Sequence, residues 1–503
     1  MDGTRKEGLT TKVKMRITDQ GHYYEHDGKV EGPFTLQDEQ MTDFDLILAI
    51  KLGVEPKDIL QARLWEITRP TTFDEVAEVL GSTVRRDKPT KLILLAGMVL
   101  TFTDEDQINI LMSSESAAGK SYDAVEVAAY FPSEVMRILG SASPTAFYHE
   151  EGVFDKNRNA LVVDLRGIIL IFLDQPHYSL IERLRPLLSH DKRELIYKIT
   201  DKTKKGALRT KNVILIGYPT VIFCSSKFTL DEQEKTRLFV LSPETSSEKL
   251  EESLRLIVAR VGDREGFRRW VDSHPRRRWL KARIQAIRDA NIKHVIIEGQ
   301  EYVYKRFRSL HERLAPRHQR DLPRIMALIK AHALFNIPHR EGRGQETIVA
   351  TDEDIEAGFD LYSLIAKPNE LGISPQVYEI YKEVIEPLLK KEGSVSRQRI
   401  LGAYYEYHGR LLAEDRLRRE ILPSLESAGL IVQIPDPTDR RKMLVSLPDH
   451  SNISRQEKIL DGSVYHSDSG NQKNHQPPNG PRDDSTQGGQ TPHGNKPPPR
   501  GET

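Results

Sequence analysis

The chain has almost no cysteine: Cys224 is the only one in 503 residues. A single thiol forms no internal disulfide and builds no cysteine-rich zinc site, which fits a reducing compartment. Charge of one sign is also missing. Lys and Arg together number 74, as do Asp and Glu, for a formal net charge of +0. No global field draws such a chain onto DNA or anionic lipid, so any nucleic-acid contact must come from local basic patches. Long hydrophobic runs are absent too. Those present are too short, or too interrupted by charge, to span a bilayer. The first residues, Met1-Asp2-Gly3-Thr4-Arg5-Lys6, lead into polar sequence without the apolar region of a signal peptide. The expectation is a soluble, cytoplasmic protein with no membrane partner. What is present is a hydrophobic fraction of 38%, enough for real cores, over a length suited to about three domains of ~150 residues.

Composition and pattern divide the chain into five stretches. Residues 1–95 read as a small α+β region. Tyr23, Tyr24 and a turn at Gly32-Pro33 suggest a small β element there, and 72–80 reads as a capped helix. Residues 96–245 alternate apolar strands (108–112, 161–163, 168–173, 213–216, 221–224) with helices. Runs without polar alternation indicate a sheet covered on both faces, an α/β core. Residues 246–367 read as a charged helical lid, with one helix over 321–335 and another beginning at Asp352-Glu353-Asp354, acids that suit a helix N-terminus. Residues 368–448 read as a separate module. Its helices fall at 375–391, 396–407 and 411–428, Gly429 ends the last, and strands at 430–434 and 443–447 flank a basic turn. That pattern is a winged helix-turn-helix. Residues 449–503, dominated by Gly, Pro, Asn, Gln and Ser, cannot bury enough apolar surface to offset ordering entropy and read as a disordered tail.

Chemistry concentrates at Ser114-Glu115-Ser116-Ala117-Ala118-Gly119-Lys120-Ser121. A phosphate-binding loop needs a strand, a tight turn with free backbone N–H groups, and a helix whose N-terminus faces the anion. Here the strand is 108–112, small residues form the turn, and Gly119-Lys120-Ser121 opens a helix. Lys120 would reach the β- and γ-phosphates of ATP, and Ser121 would coordinate Mg²⁺. Ser114 stands where the motif has its first glycine and takes positive φ less readily. A chance Gly-Lys-Ser at a helix start is the competing reading, and the strand–loop–helix context argues against it. The run Ile168–Leu173 ends in Asp174, an acid suited to a Mg²⁺ water shell. Alone, Asp174 would read as a strand-end turn residue; paired with Lys120 it reads as a site residue. Gln175 follows, where a water-activating glutamate is usual; a glutamine orients water but is a poor base. The departure bears on hydrolysis more than on binding. Asp164 and Glu182 are alternative acids.

The order of these motifs resembles AAA+ ATPases and, within them, the minichromosome maintenance (MCM) helicase branch, over roughly 96–448. The resemblance implies a P-loop AAA+ core with a helical lid. It assigns Ser225 or Ser226 to sensor 1, where a strand-to-loop cap is the plainer reading. It makes 194–209 a β-hairpin with a basic tip, in which Lys202, Lys204, Lys205 and Arg209 would grip DNA phosphates; a solvated turn is the alternative. It makes Arg237, in Thr236-Arg237-Leu238-Phe239-Val240-Leu241, an arginine finger reaching a neighbouring subunit, against an ordinary surface arginine. It makes Arg324, or alternatively Arg320, the sensor 2 residue on a lid helix, followed by the lid helix opening at Thr351-Asp352-Glu353-Asp354. A pair of amphipathic core helices would have the same spacing. In the C-terminal module Arg410, Arg416, Arg418 and Arg419 surround a candidate recognition helix, and Arg440, Arg441 and Lys442 tip the wing. These would contact DNA backbone, diluted by Glu414, Asp415 and Glu420. The chain lacks the cysteines of the zinc-bearing N-domain common in that branch. It looks like a compact relative of the kind a virus, plasmid or integrated element carries.

Three functions are therefore expected in turn. The first is an oligomeric ATP-driven DNA motor, a replicative helicase working as the hexameric ring that the resemblance implies. The second is a slow or non-hydrolysing AAA+ switch, such as a replication initiator or helicase loader, favoured by Gln175. The third is a winged-helix DNA-binding regulator with the ATPase fold as scaffold.

Overall fold

A computed structural model describes residues 12–114, 118–140, 152–174, 176–201, 209–225, 237–311, 314–439 and 441–448. All of them belong to one unit, Met1–Asp449. The tail expected from 449 onward lies outside the described residues.

Near the N-terminus β1 (Lys14–Thr18), β2 (Gly21–His26) and β3 (Lys29–Phe34) form an antiparallel sheet in that order. The turn is not at Gly32-Pro33, which lies inside β3. It is Asp27-Gly28, at φ 48° and 77°, the two positive angles that a two-residue hairpin loop of matching twist requires. Tyr24 packs this sheet against the helices Phe44–Leu52 and Pro56–Thr68 through Phe44, Leu48 and Ile59. The helix Phe73–Leu80 begins where expected, with the Thr72 side chain accepting the Glu75 N–H at 3.3 Å.

The next strands are β4 (Ile110–Ser113), β5 (Met136–Leu139), β6 (Val153–Asp155), β7 (Ala160–Asp164), β8 (Ile169–Phe172), β9 (Glu194–Asp201), β10 (Arg209–Ile216), β11 (Thr220–Ser225) and β12 (Phe239–Leu241). Where the sequence suggested one sheet, they make two. The central one has the order β12-β4-β11-β8-β5, with every pair parallel. The other has the order β6-β7-β10-β9, parallel only between β7 and β10. Burial separates them. All residues of β8 and β11 are buried, whereas β7 buries only Ala160 and Val163. A strand covered on both faces belongs inside a helix-flanked parallel sheet.

Successive side chains of a strand point to opposite faces, so one run of sequence feeds two cores. Ile110, Met112, Ile169, Ile171, Ile222 and Cys224 pack under the helices Lys88–Val99, Lys120–Ala128 and His318–Phe335. Leu111, Leu170, Phe172, Val221 and Phe223 pack instead on the helix Tyr178–Leu188 and on Val213 and Leu215 of β10. The protein is thus mixed α/β with a central parallel sheet.

The stretch read as purely helical also holds a sheet. There β13 (His294–Ile297), β14 (Glu341–Gly342) and β15 (Thr347–Ala350) pair in the order β13-β15-β14. Runs of four residues are too short for periodicity to separate strand from buried helix. The helices His318–Phe335 and Asp352–Ser363 do form, and Thr351 and Asp354 make the capping box of the second. Buried Asp354 accepts from His332 Nδ1 at 2.6 Å and from Arg340 through both its oxygens.

The C-terminal module has three helical stretches, 375–392, 397–408 and 414–427, and an antiparallel sheet of β16 (Ser394–Ser396), β17 (Val432–Pro435) and β18 (Met443–Ser446) in the order β16-β18-β17. Two helices widen into π turns, Tyr381–Ile385 and Leu417–Ile421. Each ends two residues before a proline, Pro387 or Pro423. The wider turn accommodates a ring that would clash with the carbonyl four residues back and a nitrogen that cannot donate.

Candidate functional site

The parallel order brings three candidate residues to one edge. Ser225 lies opposite Ser113 in the β11–β4 register, and Phe223 lies opposite Phe172 between β11 and β8. Asp174 follows Phe172 by two residues and is exposed. Ser114, Asp174 and buried Ser225 therefore leave the carboxyl edge of the sheet from adjacent strands, with β11 in the middle. Ligands of open α/β sheets bind outside this edge.

Gly119 has φ +93°, a left-handed conformation that favours glycine, and caps the helix Lys120–Ala128 directly. Lys120 is buried, and its ammonium donates to the Ser114 carbonyl at 2.8 Å. Ala118 and Ser121 are described, whereas Glu115, Ser116, Ala117, Gln175 and Ser226 lie outside the described residues. Burial pushes the Cys224 thiol up to about 12, with the Ser121 hydroxyl and the Lys120 charge opposing it. That sets Ser121 against the end of β11 and leaves Cys224 an inert core thiol at neutral pH. Asp164 ends β7, in the other sheet, and pairs with Arg166 at 2.5 Å.

Behind the loop lies a group that sequence reasoning missed. Asp87, Lys91, Asp123 and Lys249 are all at most 5% exposed. Lys249 Nζ reaches Asp87 at 2.5 Å and Asp123 at 3.5 Å, while Lys91 donates to the Val84 carbonyl. Burial lifts Asp123 to about 7 and pulls Lys91 down to about 8. Burial also works against a charged Lys249, but Asp87 and Asp123 outweigh it and hold the ammonium above its usual range. The four charges tie the loop helix to residues from two distant stretches of chain. Only the position of Asp123, three after Lys120 and hence near it on the helix, was a local clue.

Arg237 and Arg324 sit at the other end. Leu241 of β12 pairs with Met112 and Phe239 with Ile110, so Arg237 lies at the amino edge of the sheet. Together with Asn109, His190, Arg320 and Arg324 it lines a cavity of about 390 Å³. Arg237 is half-buried and makes no hydrogen bond or ion pair among the described residues. Arg324 is buried, donates to the Leu238 carbonyl at 2.8 Å, pairs with Asp321 at 3.1 Å and lies 4.9 Å from the Phe239 ring centroid. Burial pulls it down to about 10. Asn109 fixes this edge by accepting from the Val221 N–H and donating to the Leu188 carbonyl. His190, at φ 55°, packs at a tilt against Tyr218, 4.5 Å between ring centroids, with its Nε2 unpartnered among the described residues.

The expected hairpin exists as β9 and β10, paired antiparallel from Arg209↔Asp201 to Ile216↔Glu194. Lys202, Lys204 and Lys205 lie outside the described residues, as does Arg440. In the C-terminal module the basic residues are interlaced with acids. Arg418 and Arg419 both meet Asp415, at 3.2 and 3.4 Å. Arg416 meets Gln376 and Glu420, and Arg410 meets Tyr404 and Thr245. Lys442 meets Asp439, beside exposed Arg441.

Fold and edge geometry define an α/β protein with a candidate ligand edge at the carboxyl ends of a parallel sheet. No protein-family model matches the chain, and no curated protein matches its sequence. Among the described residues no helix is long and apolar enough to cross a membrane, and no three His, Cys, Asp or Glu side chains gather into a metal site.

Proposed function

We propose that the chain binds ATP at the carboxyl edge of its central sheet and acts as an oligomeric AAA+ motor on DNA, of the kind MCM helicases are. The observation that carries this reading is Gly119 at positive φ, opening a helix straight after β4 with the Lys120 ammonium held at the mouth of the loop. The placing of β11 between the loop strand β4 and the acid-bearing strand β8 supports it, since Ser225 then lies between Ser114 and Asp174. Lys120 would hold the β- and γ-phosphates. Ser121 and Asp174 are the residues that would hold Mg²⁺, which neutralises phosphate charge; such a site needs few protein carboxylates.

Six residues separate the level of Arg237 from the start of the loop along β4, roughly 20 Å of strand. Arg237 therefore cannot serve its own loop. In a head-to-tail assembly it would face the nucleotide of a neighbouring copy, with Arg320 and Arg324 beside it. Three helical stretches and a three-stranded sheet with a basic tip support the winged-helix reading of 368–448. The acids paired with Arg416, Arg418 and Arg419 favour a second reading, a slower AAA+ switch whose C-terminal module docks protein as well as DNA.

Binding of a fluorescent ATP analogue tests the core of this. Tight binding by the parent and a loss of about 100-fold or more in Lys120→Ala are expected, since a charged partner of phosphate is removed. Equal binding by both sinks the site. Strand displacement on a forked duplex then separates motor from switch, and no ATP binding at all leaves only the DNA-binding regulator.

A further inference from the structure

One side of β12 pairs with β4, and among the described residues no strand pairs with the other. The Phe239 N–H points to the paired side, where it donates to the Asn109 carbonyl, so the backbone groups of Leu238, Val240 and Ser242 point to the free side. Side chains from three separate stretches satisfy them. Arg324 donates to the Leu238 carbonyl at 2.8 Å and Thr90 Oγ1 to the Ser242 carbonyl at 3.3 Å. Asn369 both accepts from the Val240 N–H and donates to the Val240 carbonyl, each at 3.1 Å. An asparagine amide carries the donor and acceptor of a peptide group, so Asn369 stands in for a neighbouring strand at that residue.

The place of Asn369 in the chain gives this cap a second consequence. It is fully buried on the six-residue helix Ala366–Leu371, which joins the lid to the C-terminal module. Ile365, just before that helix, belongs to the core under the lid helices, and Ile373, just after it, to the core of the C-terminal module. Val240 lies three residues after Arg237, roughly 10 Å of strand. Only Phe239, Val240 and Leu241 of β12 pair with β4, so the pins on the free side help set where Arg237 stands.

We propose that Asn369 is a positioning residue for Arg237. Pinned to the connector, β12 presents the guanidinium at a fixed place, and ATP turnover at a neighbouring copy's loop comes to depend on how the connector to the C-terminal module is seated. The inference rests on the arginine-finger reading of Arg237 and adds where the finger is held from. With Asn369 shortened, the buried Val240 N–H and C=O lose their partners and the strand end shifts to find others. A misplacement of about 1 Å costs up to about 100-fold in rate. Nucleotide binding is spared, because Gly119 and Lys120 sit at the opposite edge of the sheet.

The test is ATP turnover by the full chain, with Asn369→Ala alone and in equimolar mixtures. Alone, it is expected to lose about 10- to 100-fold in kcat with KM for ATP and binding of the fluorescent analogue unchanged. Mixed with Lys120→Ala it should regain turnover, because the Lys120→Ala copy presents a well-placed finger to an intact loop. Mixed with Arg237→Ala it should regain none, because neither copy presents one. A merely structural loss lowers binding and turnover together and gives the same result in both mixtures. Should Asn369→Ala fail to fold, Asn369→Asp goes through the same series; it keeps the acceptor for the Val240 N–H and loses the donor to the carbonyl. Recovery with Arg237→Ala, or none with Lys120→Ala, overturns the proposal. Parental turnover in Asn369→Ala beside its loss in Arg237→Ala sinks this inference alone. No turnover by the parent, or parental turnover in Arg237→Ala, sinks the finger reading and this inference with it.

Discussion

Both ends of the central sheet carry buried cations, and the protein treats them differently. At the carboxyl edge Lys120 donates to the Ser114 carbonyl at 2.8 Å and to the Ser114 hydroxyl at 3.4 Å. At the amino edge Arg324 is saturated by a carbonyl, a carboxylate and an aromatic face, and only Arg237 beside it is uncommitted among the described residues. A guanidinium already engaged on three sides is a structural member, and one that is half-buried without partners is available for function. The contrast makes Arg237 the better candidate for a functional arginine at the amino edge, with Arg324 lining the same cavity. Sensor chemistry at Arg324 would first have to break its bond to the chain leading into β12.

The sharpest way to break this comparison is complementation. If the two edges meet across copies, Lys120→Ala and Arg237→Ala each remove ATP turnover, by about 10³-fold or more for the arginine. An equimolar mixture then regains activity, because about a quarter of randomly paired heterologous interfaces carry an intact lysine opposite an intact arginine. A mixture no more active than either variant, with both still oligomeric, would place the two residues in unrelated roles.

A smaller effect separates the two arginines within one copy. Arg324→Ala leaves fully buried Asp321 with only Arg317 and frees the Leu238 carbonyl, for an expected loss of about 2–3 kcal/mol in urea unfolding. Arg237→Ala should change stability by no more than about 0.5 kcal/mol. Equal losses would erase the distinction drawn between them.

How far the sequence announces this arrangement depends on which physical signal each part leaves. The buried strands β8 and β11 are legible because covering both faces leaves no polar alternation. The loop helix is legible because Gly-Lys-Ser after an apolar run is local chemistry. The strands β13 and β15 are not legible, since four-residue apolar runs fit a helix equally well. The division into two sheets depends on which strand pairs with which, a long-range fact with no local trace. The same holds for Lys249, whose partners Asp87 and Asp123 are far away in the chain. Arg324 and Arg237 look alike in sequence, and only burial and partners in the fold tell them apart.

A last, pH-dependent effect concerns the buried carboxyl behind the loop. Burial raises Asp123 to about 7 in the folded protein, against about 3.9 in an unfolded chain. Between those values the folded state binds more protons than the unfolded one, so this group makes stability fall as pH rises, by at most about 1.4 kcal/mol per pH unit, and contributes no slope above about 7. Buried Asp354, by contrast, is held below its usual range by His332 and Arg340 against the opposing effect of burial. Its contribution therefore has the opposite sign: present above the unfolded carboxylate range and lost as pH falls through the folded value. Asp123→Asn keeps the size of the side chain and one accepting oxygen, and deletes the titration. Relative to the parent it should gain stability steadily from pH 4 to 7 and hold a constant margin from 7 to 8.5, read from thermal unfolding across that range. Parallel curves for parent and variant would mean that Lys249 holds Asp123 ionised throughout, and that the loop helix rests on a fixed ion pair instead of a titratable one.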